Sequence, residues 1–199
     1  MKTELNFYVP EDYLRLESLP EDPPGSIAFG KQGENFETFI LVKTLPFEMA
    51  MPFERQSEVM LGVTEHLAED QGLVEVRSGI SAHNRRFVYS IIKTKLEPSG
   101  VQYGLTIHFE DEEKVYGVNG FFDEVGMTGG RDSTVLQLMV KEKLIQLPQM
   151  EGWFLHPYIP EYKKGFLMNL SEDPKYDQYF PNHPLTQARA LVQYLVEKN

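Results

Sequence analysis

The 199-residue chain has no cysteine. That excludes disulfides, thiolate metal sites and cysteine nucleophiles. Tryptophan occurs once, so the aromatic part of any core falls to 13 phenylalanines and 10 tyrosines. No stretch approaches the roughly 18 consecutive apolar residues that a membrane-spanning helix needs. Met1 to Phe7 lack the apolar centre of a secretory signal. A cytoplasmic location is expected for a gene that starts at this methionine. Positive charge is also scarce: 19 Lys and Arg stand against 30 Asp and Glu, a net charge of −11. Nucleic acid is therefore not an expected partner, because phosphate binding needs clustered cations.

Hydrophobic residues at 41% and charged residues at 25% place the chain among globular domains. Its length falls in the single-domain range and can bury a core without staples. The acids are spread through the chain: Glu11, Asp12, Glu17, Glu21 and Asp22, then Glu65, Glu69 and Asp70, then Glu110 to Glu113. Such a distribution describes a self-repelling, solvated surface. It equally describes a face matched to a basic partner protein. Charge alone leaves both open.

Phe7-Tyr8-Val9 before Pro10 has the pattern of a short first strand. Ser26 to Gly30 and Phe36 to Lys43 flank a Lys31–Asn35 turn, a hairpin signal. Phe39 to Val42 is continuously apolar, as in a strand covered on both faces. Val59, Val63 and Leu67 recur at helical spacing, predicting a helix over about 53–71 with Gly72 as its C′ residue. Four strand-like segments follow, at 73–78, 86–96, 101–110 and 115–122. Their short connections force antiparallel neighbours, so the middle of the chain is a meander. Tyr103, Leu105, Ile107 and Phe109 alternate with Gln102, Gly104, Thr106 and His108. One side of that strand is core, and the other meets a helix or water. A second helix is expected over about 133–146, capped by Asp132, largely buried and stopped by Pro148. The irregular, aromatic-rich stretch 148–183 precedes a last helix over about 184–198 with Pro184 at N1.

The predicted class is α+β: an antiparallel sheet meander flanked by helices, with an aromatic-rich arm and a C-terminal helix. In that order, and in the texture of Gln71-Gly72-Leu73, Val88 to Lys93, Val101-Gln102-Tyr103 and Gly120-Phe121-Phe122, the chain resembles the Mog1/PsbP-like fold. The resemblance covers about residues 4–147. It implies a domain over 1–147 with 148–199 as an extension packed on it. The well-known members are binding proteins rather than enzymes, including a Ran-binding transport factor and a photosystem II subunit. The resemblance assigns no functional residue here.

Chemistry-bearing patterns are few. The loop Gly126 to Asp132 places Arg131 and Asp132 where a phosphate loop needs glycine and lysine, so that motif fails. A looser anion site remains open at Gly129, Gly130 and Arg131, beside the start of a helix. The alternative is a tight turn whose arginine pairs with a carboxylate. The five histidines, His66, His83, His108, His156 and His183, form no ligand pair, and no metal or cofactor is expected. Asp111-Glu112-Glu113 lacks the spacing of a calcium loop. No Gly-x-Ser-x-Gly elbow occurs. Trp153, Tyr158 and Tyr162 either wrap the sheet or form a partner surface.

The preferred expectation is a non-catalytic protein-binding protein of adaptor, chaperone or immunity type, with a partner that can be basic. A small-ligand or anion-binding protein, or an enzyme, at Gly126 to Asp132 is the alternative. A homodimer through the C-terminal helix is compatible with either.

Overall fold

A computed structural model of the protein describes residues 1–112 and 114–199; the acidic turn reading at Glu113 lies outside the described residues. The strands are β1 (Leu14–Arg15), β2 (Ile27–Gln32), β3 (Phe36–Leu45), β4 (Gln71–Ile80), β5 (Arg86–Lys95), β6 (Val101–Glu110) and β7 (Val115–Glu124). Among the described residues these seven form one antiparallel sheet in the order β1-β2-β3-β7-β6-β5-β4. Four- and five-residue connections joining β4 through β7 leave no room for a crossover, hence the meander. The fold is α+β, a sheet flanked by helices.

Side-chain alternation gives the sheet two different faces. One carries Phe29, Ile40, Val42, Leu105, Ile107, Phe109 and Val118, all buried. Helix α3 (Pro184–Lys198) covers it with Leu185, Ala188, Leu191 and Leu195. Each leucine of that stripe contributes about 2–3 kcal/mol by leaving water. The helix starts as its sequence predicts, with Pro184 at N1 and His183 Nδ1 accepting from the Leu185 N–H at 3.2 Å.

The opposite face is only partly covered. Helix α1 (Gln56–His66) sits over its β4–β5 end, where Val59 meets Leu73, Val76 and Val88. Helix α2 (Gly130–Lys141) packs on the arm, closing Val135 and Met139 around Ile145 and Trp153. The arm itself holds a small hairpin of β8 (Phe154–Leu155) and β9 (Met168–Asn169), then two 3₁₀ turns, Leu170–Glu172 and Pro174–Tyr179.

Several expectations need correction. Phe7 to Val9 is not a strand of the sheet: Tyr8 makes one isolated bridge to Lys2, while Phe7 and Val9 are plugs for the core. The first sheet strand is Leu14–Arg15 instead. Helix α1 ends at His66 because Leu67 turns extended, and Gly72 lies inside β4 rather than at a helix terminus. Helix α2 spans 130–141, not 133–146, and its N-cap is Gly129 at φ 72°, not Asp132. Lys143 at φ 60° turns the chain away before Pro148. Nor is that segment wholly buried, since Leu138 and Leu144 face solvent.

Candidate functional site

The Gly126–Asp132 loop is built around an inward-facing arginine. Glycine at 129 allows the left-handed turn that ends in α2, and its N–H donates to Glu124 Oε1 at 2.7 Å. The chain's own carboxylate thus occupies the helix start where an outside anion was expected. Arg131 is 1% exposed. Its Nε donates to the Ser171 carbonyl at 2.8 Å and its Nη1 to Thr186 Oγ1 at 3.2 Å. Its Nη2 donates to the Asp173 carbonyl at 3.2 Å and pairs with Asp177 at 2.9 Å. A guanidinium so engaged, with four of its five N–H donors taken and its side chain buried, holds the arm and α3 together rather than facing solvent for an anion. Of the three expected anion contacts, Gly129 and Gly130 remain at the surface and Arg131 does not.

Asp132 is likewise turned inward, accepting from Ser171 Oγ at 2.5 Å and Asn169 Nδ2 at 2.9 Å. Burial, then the charge of Glu172, pushes its carboxyl above the usual range. Next to it lies a buried ion pair: Lys93 Nζ meets Glu172 at 2.9 Å, and Tyr103 Oη donates to the other carboxylate oxygen at 2.8 Å. Glu172 also accepts the Asn169 N–H at 2.7 Å, closing a capping box with Asn169. These groups satisfy one another and are sealed from solvent, which makes them a clamp on the arm rather than a reactive centre.

The aromatic arm is in part a cover: of the three expected aromatics Trp153 is buried, Tyr162 half-buried and Tyr158 exposed. Trp153 is 2% exposed, inside the cluster with Val135 and Met139. Tyr158 Oη accepts from the Val76 N–H and donates to the Val76 carbonyl, both at 2.8 Å, so a phenol substitutes for a missing strand beside β4. Tyr162 packs on His156 with ring centroids 4.9 Å apart.

The histidines are fixed individually. His156 Nδ1 accepts the Ile159 N–H at 3.0 Å, and its Nε2 faces Thr64 Oγ1 at 3.1 Å. His108 Nδ1 accepts the Met51 N–H at 3.0 Å. No group of three His, Asp or Glu among the described residues is arranged to hold a metal. Burial, helped by Lys43, pushes His108 down to about 4. An unfolded chain takes up that proton near pH 6.5, while the folded one resists until about pH 4. Stability should be flat above pH 6.5 on this account and fall by about 2 kcal/mol between pH 6.5 and 4.5. Urea unfolding of His108→Asn, whose amide oxygen can accept the same N–H, should lack that share of the decline. An unchanged decline would remove His108 from the explanation. His183, held down to about 3, and His156, also lowered, act with the same sign, and Asp132 and Glu124, both raised, with the opposite one, so only the comparison between the two proteins isolates the share of His108.

The exposed apolar surface lies on the open part of the second sheet face. The pairing aligns one row across the strands: Gly30, Phe39, Phe121, Gly104, Ile92. Phe39 and Phe121 stack with centroids 6.5 Å apart, and Phe121 is 45% exposed. With glycine on either side, the two rings stand above a floor of backbone. Two adjoining hollows of about 690 and 540 Å³ share both phenylalanines; one runs to Leu14 and Leu16, the other to Val63 of α1 and Leu67 just past its end. Leu14 is 72% exposed. The β3 run 39–42 is therefore not covered on both faces as its composition implies: Phe39 is half-buried. Glu37 and Asp123 edge the first hollow, bonded to the amides of Gln32 and Gln102 and in no ion pair among the described residues, whereas Lys31 in the same lining is paired with Asp12. Exposed Glu17 and Glu21 belong to the neighbouring loop. Sequence alternation marks β6 as two-sided, but which part of its second side stays open depends on where α1 stops.

No protein-family model matches the chain, and no curated protein does. Among solved structures, a Pseudomonas aeruginosa protein of unknown function is similar at 11% identity, over 68% of this chain and 96% of that one, with a TM-score of 0.39.

Proposed function

We propose that this protein is a non-catalytic protein-binding module whose open sheet face, around Phe39 and Phe121, takes an apolar segment flanked by Lys or Arg. The observation that carries the reading is the continuous apolar trough with an acidic edge, Glu37 and Asp123, in no ion pair among the described residues. Contiguous exposed apolar surface of this kind marks interaction sites, and the acids favour a cationic neighbour. The binding roles of well-known Mog1/PsbP-like proteins, which the sequence resembles, accord with it. Adaptor, chaperone and immunity-type roles all use such a face.

The test is retention of a stoichiometric partner from native extract on immobilised full-length protein. Phe121→Asp, at a half-exposed position, should abolish retention while leaving the unfolding midpoint near that of the wild type. Glu37→Lys with Asp123→Lys should weaken retention and flatten its salt dependence. Retention that survives Phe121→Asp at every salt concentration would overturn the proposal.

A further inference from the structure

Between α2, the end of β7 and the last turn of the arm lies a hollow of about 420 Å³, with Met127, Gly130 and the inward-turned Arg131 of the 126–132 loop in its wall. That volume falls in the range of small-molecule sites. Its polar floor is His183 and Glu124, whose side chains are only 10% and 5% exposed. His183 Nδ1 is used by the Leu185 N–H, so the ring proton is on Nε2. Nε2 lies 4.0 Å from Glu124 Oε1, beyond hydrogen-bond reach, and has no hydrogen-bond partner among the described residues. An N–H donor without a protein partner thus lines the hollow, on a ring that is itself nine-tenths buried. Burial, then the fields of Arg131 and Arg189, holds the ring down at about 3, so it stays a neutral donor. Above this floor stand Tyr179, 69% exposed, and Phe180, with Asn35 and Asn182 at the mouth.

The spacing selects the chemistry. An oxygen placed about 2.8 Å from each of two atoms 4.0 Å apart subtends about 90° between them. A hydroxyl meets that requirement, accepting from Nε2–H while donating to the carboxylate. A carboxylate or phosphate would face Glu124 and Glu34, while the guanidinium of Arg131 in the wall is already bound to the arm and Asp177; an ammonium could accept nothing from the imidazole. Aromatic rings at the mouth fit the C–H faces of a ring polyol. We propose that this hollow binds a neutral polyhydroxylated small molecule, a monosaccharide or cyclitol in class, with one hydroxyl bridging His183 and Glu124. This site is independent of the open sheet face.

The experiment is two-dimensional amide NMR of the full chain titrated with glucose, maltose, myo-inositol and glycerol. Acetate and ethanolamine serve as charged controls. At least one polyol should shift the Gly129 and Gly130 amides saturably, and neither control should. His183→Asn keeps a cap acceptor but removes the Nε2 donor. It should weaken that polyol about tenfold. Tyr179→Ala, at an exposed position, should weaken the same polyol and guards against a capping defect in the first variant. Absence of saturable shifts with all four polyols would overturn the proposal. So would equal response to a charged control, or undiminished affinity in both variants.

Discussion

Replacing Lys93 with Met should cost about 3–5 kcal/mol of folding stability, the range for breaking a buried pair from one side. Lys93 and Glu172 are both fully buried, and their contact ties the middle of β5 to the 3₁₀ turn of the arm. Lys93 Nζ also lies 4.1 Å from the centre of the Phe166 ring. Methionine keeps most of the stem volume and removes the charge, leaving Glu172 ionised with only Tyr103 and Asn169 to solvate it. Converting Glu172 to Gln as well should restore at least half of the loss, since the orphan charge goes while the amide oxygen can still accept the Asn169 N–H and the amide NH2 can donate to the Tyr103 oxygen, the phenol reversing its role. Urea titration of the two variants reads this directly. A Lys93→Met protein within about 1 kcal/mol of wild type would show that the pair does not clamp the arm.

The second large effect is expected at Gly72. A Cβ built there would stand 1.8 Å from the Phe166 carbonyl oxygen and 2.7 Å from its carbonyl carbon. Backbone, not a flexible side chain, is in the way, and the Phe166 N–H bond to the Gln71 carbonyl at 2.8 Å fixes it there. Gly72→Ala should therefore lift the arm from the β4 edge, at a cost of about 3 kcal/mol. It should also open the segment 157–166 to rapid proteolysis, because that segment is held mainly by its docking on β4. Alanine tolerated with unchanged stability and unchanged cleavage would contradict the packing described.

Gly72 also shows where sequence reasoning fails. A glycine after an amphipathic run is the local signature of a helix C′ residue, and nothing nearby distinguishes it from one selected by contact with residue 166. For Trp153, Tyr158 and Arg131 the sequence leaves two readings each, for the same reason. Whether an aromatic is displayed or buried, and whether an arginine is free or spent, is decided by partners far along the chain. Where local chemistry and tertiary packing agree, the sequence was legible: α3 with Pro184 and its Leu185–Leu195 stripe, the β4–β7 meander from its turns, and the two-sided β6. The open face lay between these cases. Its residues alternate visibly, yet Phe39 and Phe121, 82 positions apart by subtraction of their numbers, become neighbours only through the β3–β7 pairing. The His183–Glu124 floor had one local clue, histidine at a helix start, and no clue to the carboxylate opposite.

The most direct test of the account is site-specific photo-crosslinking in native extract. A photoreactive phenylalanine analogue is placed singly at Phe121, at Leu14, at Leu138 on α2, or at Tyr158 on the arm. The account predicts one and the same covalent partner from positions 121 and 14, and none from 138 or 158. Adducts confined to 138 or 158, or no adduct from 121, would contradict the assignment of the open sheet face as the binding surface.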